Sequence, residues 1–134
     1  MFGSLDISTS GLVAQRTRLE VISANLANKD AILDAKGNYA PFRRRLAVFS
    51  QGDPSTGKSQ GVHVSRIDKD PAPFRKAYEP GHPNADAQGY VNYPNVEPAI
   101  ETINAVEAMR AYEANITAAE ATKSMLSSSL RLLA

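Results

Sequence analysis

The chain contains no cysteine and no tryptophan among its 134 residues. Without cysteine, disulfide bridges, thiolate metal sites and a cysteine nucleophile are excluded. Long apolar runs are also missing: the longest in the first 30 residues is Leu12-Val13-Ala14, and no stretch approaches the roughly 20 apolar residues of a membrane span. Asp6 stands early, with no basic residues before it, so we expect neither a cleaved secretory signal nor direct membrane insertion.

A strong excess of charge is absent as well. The formal net charge is +1 at pH 7, which does not indicate a nucleic-acid-binding protein. The charges are unevenly distributed: residues 34–93 carry nine basic and six acidic side chains, and residues 94–134 carry three and five. Opposite charges of this kind favour contact between unlike segments of neighbouring copies, although an ordinary solvated surface explains each single charge equally well.

The first part of the chain has the pattern of a helix from Ser4 to Asn28. Leu5, Leu12, Leu19 and Leu26 recur every seven residues, and no proline interrupts them. This apolar stripe is narrow, because polar residues occupy most of the intervening seam positions. We therefore expect a helix that is marginal alone and is stabilised by packing against a partner.

A second and stronger helix is predicted from Glu97 to Leu133. Its seam positions alternate in steps of four and three, the spacing of a coiled coil, with Lys123 as the polar exception. Ile100, Ile103 and Val106 form a further apolar stripe beside this seam. An intramolecular helical hairpin would leave the further stripe open to water, so we expect helix packing between molecules in addition to pairing within one chain.

The middle of the chain predicts β structure and loops. Strand-like runs extend over Tyr39–Ser50, Gly61–Ile67 and Phe74–Tyr78, with a mobile loop over residues 51–61 and five prolines between residues 70 and 94. The predicted fold class is α+β: long N- and C-terminal helices form a coiled-coil-like helical domain around a small β-rich insertion. We divide the chain into residues 1–33, 34–93 and 94–134, the first and last together forming the helical domain.

Residues that could carry chemistry are few. Gly52 to Ser59 satisfies the bare pattern of a phosphate-binding loop, which requires a helix after it, but the residues that follow alternate like a strand. His63 and His82 have no second ligand at metal spacing, and the run Arg43-Arg44-Arg45 is interpreted as a surface ion-pairing face. We expect no enzyme activity, cofactor or metal; nucleotide binding through Gly52–Ser59 remains the alternative outside the structural class.

Six short runs of the chain resemble flagellar axial proteins. The run Val21-Ile-Ser-Ala-Asn-Leu-Ala-Asn28 resembles the signature of rod and hook proteins. A role as a cap at the C-terminal end of the helix explains Asn28 equally well. The central runs 70–75, 78–86 and 89–96, with Arg110-Ala-Tyr-Glu-Ala-Asn115 and Lys123-Ser-Met125, are similar to the proximal-rod family FlgC. The departures are small: Lys29-Asp30 follows the signature, and Phe42 stands where tyrosine is usual.

The resemblance implies a structural subunit of the bacterial flagellar proximal rod, which polymerises through its terminal helices into a tubular drive shaft that transmits motor torque across the periplasm. Another rod or hook subunit is the alternative within this class. The implied partners are copies of the chain, other proximal and distal rod proteins, the adapter between rod and MS ring, the flagellar type III export apparatus and the rod-capping muramidase. Export without cleavage of a signal peptide is also implied.

We expect subunit contacts along the two helical seams and at one loop. The seam residues are Leu5, Leu12, Leu19, Ile22, Asn25, Leu26, Asn28, Met109, Tyr112, Asn115, Ile116, Leu126, Leu130 and Leu133, and the loop residues are Tyr90, Tyr93, Pro94 and Asn95.

Overall fold

The computed structural model describes residues 2–134 and shows two terminal helices around a β-rich insertion. In chain order the elements are α1 (Phe2–Ala27), β1 (Arg45–Asp53), β2 (Lys58–Lys69), β3 (Arg75–Tyr78), β4 (Tyr90–Tyr93) and α2 (Pro98–Leu133). The expected α+β class, with helices at both ends, is confirmed. Pro98 begins α2, a position where its missing N–H costs nothing.

The two helices pack side by side in antiparallel directions. Contacts join Asn25 to Glu101, Arg18 to Glu107, and Gly11 to Asn115. Because the residue numbers run oppositely through these contacts, the start of α1 lies opposite about residue 124 of α2. Helix α2, with 36 residues against 26 in α1, therefore extends past the start of α1 with its last turns.

Small and polar residues form the buried face of α1. Ser8, Ala14, Ile22 and Asn25 are buried, and a Cβ at Gly11 would approach the amide of Asn115 to 2.8 Å. Small side chains allow two helix axes to come close together. The heptad leucines Leu5, Leu12, Leu19 and Leu26 lie beside this face and are only half-buried.

Strands β1 and β2 form an antiparallel hairpin that packs against α1. Arg45 pairs with Lys69 at the open end of the hairpin, and Asp53 pairs with Lys58 next to the turn. The prediction of a mobile loop over residues 51–61 is wrong, because both strands continue into that segment. The Asp53 carboxylate accepts hydrogen bonds from the Ser55 amide and from the hydroxyls of Ser55 and Thr56, which closes a short turn. The predicted first strand also begins later than Tyr39, at Arg45.

Strands β3 and β4 form a second small antiparallel sheet, in which Arg75 pairs with Tyr93 and Tyr78 with Tyr90. The strand-like run Phe74–Tyr78 predicts the first of these strands, whereas the sequence analysis predicts no strand at β4. The carboxylate of Asp86 accepts hydrogen bonds from the backbone amides of Gln88 and Tyr90, and this turn directs the chain into β4.

Residues Gly52 to Ser59 lie on the end of β1, the turn and the start of β2. A phosphate-binding loop places its backbone amides at the N-terminus of a helix, and here a strand follows instead. The structure therefore removes the geometric basis of the nucleotide-binding alternative. Within the described residues, neither helix has an apolar stretch that could cross a membrane.

A polar junction and exposed helix faces as the candidate assembly site

A cluster of polar side chains joins the two helices to the β insertion. We name it the polar junction and define it by Asn25, Arg44, Asp70, Asn95 and Glu101. These residues come from α1, the approach to β1, the end of β2, the approach to α2, and α2 itself. Their contacts decide how the insertion is oriented on the helical pair.

Asn25 binds the start of β1 as a neighbouring strand would. Its side-chain Nδ2 donates to the Arg45 carbonyl at 2.9 Å, and its Oδ1 accepts from the Arg45 amide at 2.9 Å. The residue is 1% exposed, and Nδ2 also lies 3.4 Å from Glu101 Oε2. Asn25 was expected at a subunit contact, but its amide is engaged inside the subunit.

Arg44 occupies the centre of the junction. Its guanidinium donates from Nε to Glu101, which is fully buried, and from Nη1 to Asp70 Oδ2 at 3.0 Å. Burial alone would lower the pKa of Arg44, but hydrogen bonds with Glu101 and Asp70 outweigh this effect and raise it. A buried charge pair of this kind is costly to break, because the remaining charge would have no partner.

Asp70 closes the junction on the side of the second sheet. Its carboxylate accepts a hydrogen bond from the Ala72 amide at 2.9 Å, and this bond, followed by the contact with Arg44, lowers the pKa of Asp70. Arg43 Nη1 and Asn95 Nδ2 both donate to the carbonyls of Asp70 and Ala72. Asp70 is thus held through its side chain and its backbone together.

The interpretation of Arg43-Arg44-Arg45 as a surface ion-pairing face is wrong: Arg43 and Arg44 are half-buried, and the exposed Arg45 forms no ion pair within residues 2–134. Arg43 lies 4.2 Å from the centre of the Phe74 ring and binds backbone carbonyls, and Arg44 makes buried ion pairs. Only Arg45 is exposed, above the ring of Phe42. The run ties segments of the chain to one another because the fold brings acidic and carbonyl groups from three distant segments to it.

The predicted seam residues of α2 fall into two groups along the helix. Tyr112 and Asn115 are half-buried beside α1, whereas Met109 is 52% exposed. Beyond the start of α1, Leu130 and Leu133 are 59% and 84% exposed. Two further seam residues of α2 are less exposed: Ile116 is 36% exposed and Leu126 is half-buried. On α1, the seam residue Ile22 is buried inside the subunit.

Asn28 caps the end of α1, since its Nδ2 donates to the Ala24 carbonyl at 2.8 Å. Of the predicted loop residues, Tyr90 is 42% exposed and packs edge-on against Tyr78 at 5.3 Å between ring centres. The Tyr93 hydroxyl donates to Glu79, which raises its pKa. Pro94 is buried, so with Asn95 in the junction only the tyrosine end of this segment faces outward.

Sequence reasoning did not single out Glu101, Val91 or Val96, all of which are buried. Glu101 occurs among the alanines and charges of a helix that is exposed on several sides, so its pattern did not distinguish it. Across residues 2–134, no group of three or more histidine, aspartate or glutamate side chains lies close enough to hold a metal ion.

Comparison with known proteins identifies the family. Residues 5–30 match the model described as "Flagella basal body rod protein", and residues 87–132 match "Flagellar basal body rod FlgEFG protein C-terminal". The chain is 40% identical to the flagellar basal-body rod protein FlgC of Bacillus subtilis over 98% of this chain and 97% of the relative. It is 42% identical to FlgC of Salmonella typhimurium over 95% and 93%.

The chain belongs to the FlgC family. FlgC of Yersinia enterocolitica is likewise 40% identical over 95% of this chain. The two model matches cover α1 and α2 with β4, so the segments on which the family is recognised are the terminal helices and the approach to the second one. A FlgC-family chain is a structural subunit of the flagellar basal-body rod, as the resemblance in the sequence implied.

Proposed function

We propose that this chain polymerises through its two terminal helices into the wall of a tubular drive shaft, and that this shaft transmits motor torque across the periplasm. The supporting observation is the exposed apolar surface of α2. Leu130, Leu132 and Leu133 are 59%, 89% and 84% exposed on the part of the helix that extends past α1. An apolar surface of this size favours association with other molecules.

The total surface supports the same proposal. The accessible surface of the chain is 9011 Å², whereas a compact monomer of 14.4 kDa exposes about 6800 Å². About a quarter of the surface is therefore in excess of what one compact domain needs. Assembly with neighbouring subunits would bury that excess, and close-packed helices resist compression, which a shaft under torque requires.

Each of the three segments 1–33, 34–93 and 94–134 has a role in this assembly. Helices from the first and last segments form the wall, and the insertion, held at a fixed angle by the polar junction, sets the position of one subunit against the next. Tyr90 and Tyr93 lie at its outward edge. The proposed partners are copies of this chain, other proximal and distal rod proteins, the adapter to the MS ring, the type III export apparatus and the rod-capping muramidase.

We infer further that the chain acts without catalysis, and that it is exported without cleavage of a signal peptide. Another rod or hook subunit is the rival within the class. It is disfavoured because identity to FlgC proteins extends over nearly the whole chain, insertion included.

Replacement of Leu130 by Asp tests this function. Leu130 is 59% exposed, so the monomer should keep its thermal midpoint, whereas a charge in a buried helix contact should abolish incorporation into the rod and motility. The measurement is the amount of the chain in isolated basal bodies, together with swimming in soft agar. Ser128→Asp is the matched control, because it adds the same charge at an exposed position of the same helix. Motile cells that carry Leu130→Asp would contradict the proposal.

A further inference from the structure

Among the described residues, the last turns of α2 extend beyond the start of α1. Because the start of α1 lies opposite about residue 124, residues 125–133 extend beyond it for about 13 Å. We name this segment the C-terminal overhang. Met125 and Leu130 in it are 58% and 59% exposed, and Leu132 and Leu133 are almost fully exposed.

A second apolar surface lies near the other end of the same helix. Ile100, Ile103 and Val106, which we name the outer stripe, are 48%, 66% and 44% exposed. A shallow groove of about 270 Å³ runs along this surface, lined by Ile103 and Val106 and bordered by Glu107 and Arg110. The outer stripe covers about 10 Å of helix, a length comparable to the overhang.

These two surfaces cannot meet within one chain. Ile103 and Leu130 belong to one continuous helix, and 27 residues of helix separate them by about 40 Å. If they bind each other, the contact joins two molecules. A contact between unlike surfaces is heterologous, so it repeats from copy to copy without closing into a dimer.

The charges of the two surfaces are complementary. The overhang and the turn before it carry Lys123 and Arg131 and no acidic residue after Glu120. The N-cap Glu97 and the N-terminal half of α2 carry the exposed carboxylates Glu97, Glu107 and Glu113, of which Glu107 lies 3.4 Å from Arg18 of its own subunit, with Arg110 as the only basic residue of that half. Apolar surfaces of similar length with opposite charge at their borders fit each other, because burial supplies the attraction and the charges select the partner.

We propose that the C-terminal overhang of one subunit binds the outer stripe of a second copy of this chain. This inference rests on the proposed assembly through terminal helices and specifies which two surfaces form one of its contacts. It assigns to the outer stripe a role that the pairing of α1 and α2 leaves unexplained.

The absence of cysteine allows a direct test by cross-linking. Cells would express one chain with Ile103→Cys together with another carrying either Leu126→Cys or Leu130→Cys, and isolated basal bodies would be oxidised with copper phenanthroline. We expect a disulfide-linked dimer in at least one of the two pairings, at about ten-fold or more above the control. In the control, the first chain carries Ser55→Cys, on the exposed turn of the β1–β2 hairpin, in place of the cysteine at position 103.

Charge variants give a second measurement. Adding Lys123→Glu and Arg131→Glu to the chain with Leu130→Cys should lower the yield, and adding Glu97→Lys and Glu113→Lys to the chain with Ile103→Cys should restore it. Yields equal to the control in both pairings, or a yield unaffected by charge reversal, would overturn the proposed contact. Wild-type chain missing from basal bodies would instead refute the proposed function, so the two failures are distinguishable.

Discussion

At the scale of single residues, Asn25 shows how much of the fold depends on one amide. A side chain on α1 occupies the place of a strand partner for Arg45, so the first residue of β1 is fixed to the helix. Asparagine is suited to this position because its side chain carries a donor and an acceptor like a peptide group. Aspartate, with two acceptors, lacks the donor.

Replacing Asn25 by Ala should destabilise the protein by about 2–3 kcal/mol, because the amide and carbonyl of Arg45 lose their partners in a part-buried place. The midpoint of urea unfolding measures the effect. Asn28→Ala is the control: it removes an exposed cap bond to Ala24 and should cost less than about 1 kcal/mol. Equal losses for the two variants would refute the special role of Asn25.

Asp70 makes the folding stability of the protein depend on pH in the acid range. Its folded-state pKa is lowered by the hydrogen bond from the Ala72 amide and then by Arg44, so its stabilisation is present above the unfolded value of about 3.9 and is lost as the pH falls through the folded-state value. Asp70→Asn should cost about 1 kcal/mol at pH 7. The difference from wild type should shrink below about pH 4 in urea unfolding series. A constant difference from pH 7 to pH 2 would contradict this.

At the scale of elements, the β1–β2 hairpin depends on glycines with left-handed backbone angles. Gly52 has a φ of +89°, and a Cβ there would lie 2.8 Å from the Lys58 carbonyl oxygen. Gly57 has a φ of +70°, but a Cβ there would meet nothing within 4 Å. The first glycine is therefore required by space and by conformation, and the second by conformation alone.

Gly52→Ala should lower stability by about 1–3 kcal/mol and loosen the hairpin tip. The control is Gly57→Asn, which should cost less than about 1 kcal/mol because asparagine tolerates left-handed angles. Thermal unfolding gives the stability, and amide exchange of residues 51–59 reports on the tip. If Gly52→Ala is as stable as Gly57→Asn, steric crowding at Lys58 is not what selects glycine.

At the scale of the whole molecule, the chain has two regions of unequal stability. The polar junction and the buried residues Val91, Val96 and Ala108 hold the insertion and the first half of α2 together. The C-terminal overhang has no such support, and a helix end without tertiary contacts is marginal in water. In the free subunit, the polar junction should therefore be stably folded, and the C-terminal end of α2 should be frayed.

Amide hydrogen exchange tests this gradient. In a dilute monomer, residues 125–133 should exchange with protection factors below about ten, while residues 101–115 of the same helix exchange far more slowly. In isolated rods the overhang should become protected. Residues 125–133 as strongly protected in the dilute monomer as residues 101–115 would show that the end of α2 needs no neighbour.

The sequence by itself determined the two helices, their bounds to within a few residues, and the family. The seven-residue spacing in α1 and the alternating steps of four and three in α2 are local signals of a helix with one apolar face. The runs 89–96 and 110–115 identify the family directly. It did not determine which side of α1 is buried. The leucine repeat was the strongest apolar signal, yet its leucines are only half-buried, and the subunit buries Ser8, Ala14 and Asn25 together with Val21 and Ile22, because small side chains let α2 approach α1 closely.

Only the tertiary structure decided the role of Glu101 and Arg44. A buried carboxylate is stable only when groups from elsewhere in the chain balance its charge and satisfy its oxygens. Here Arg44 supplies the opposite charge and Asn25 a hydrogen bond, and both lie far from Glu101 in sequence. Such partners leave no periodic trace, so the sequence predicted a surface role for the arginine run. Periodicity reports on local structure, whereas the neutralisation of buried charge depends on which distant segments the fold brings together.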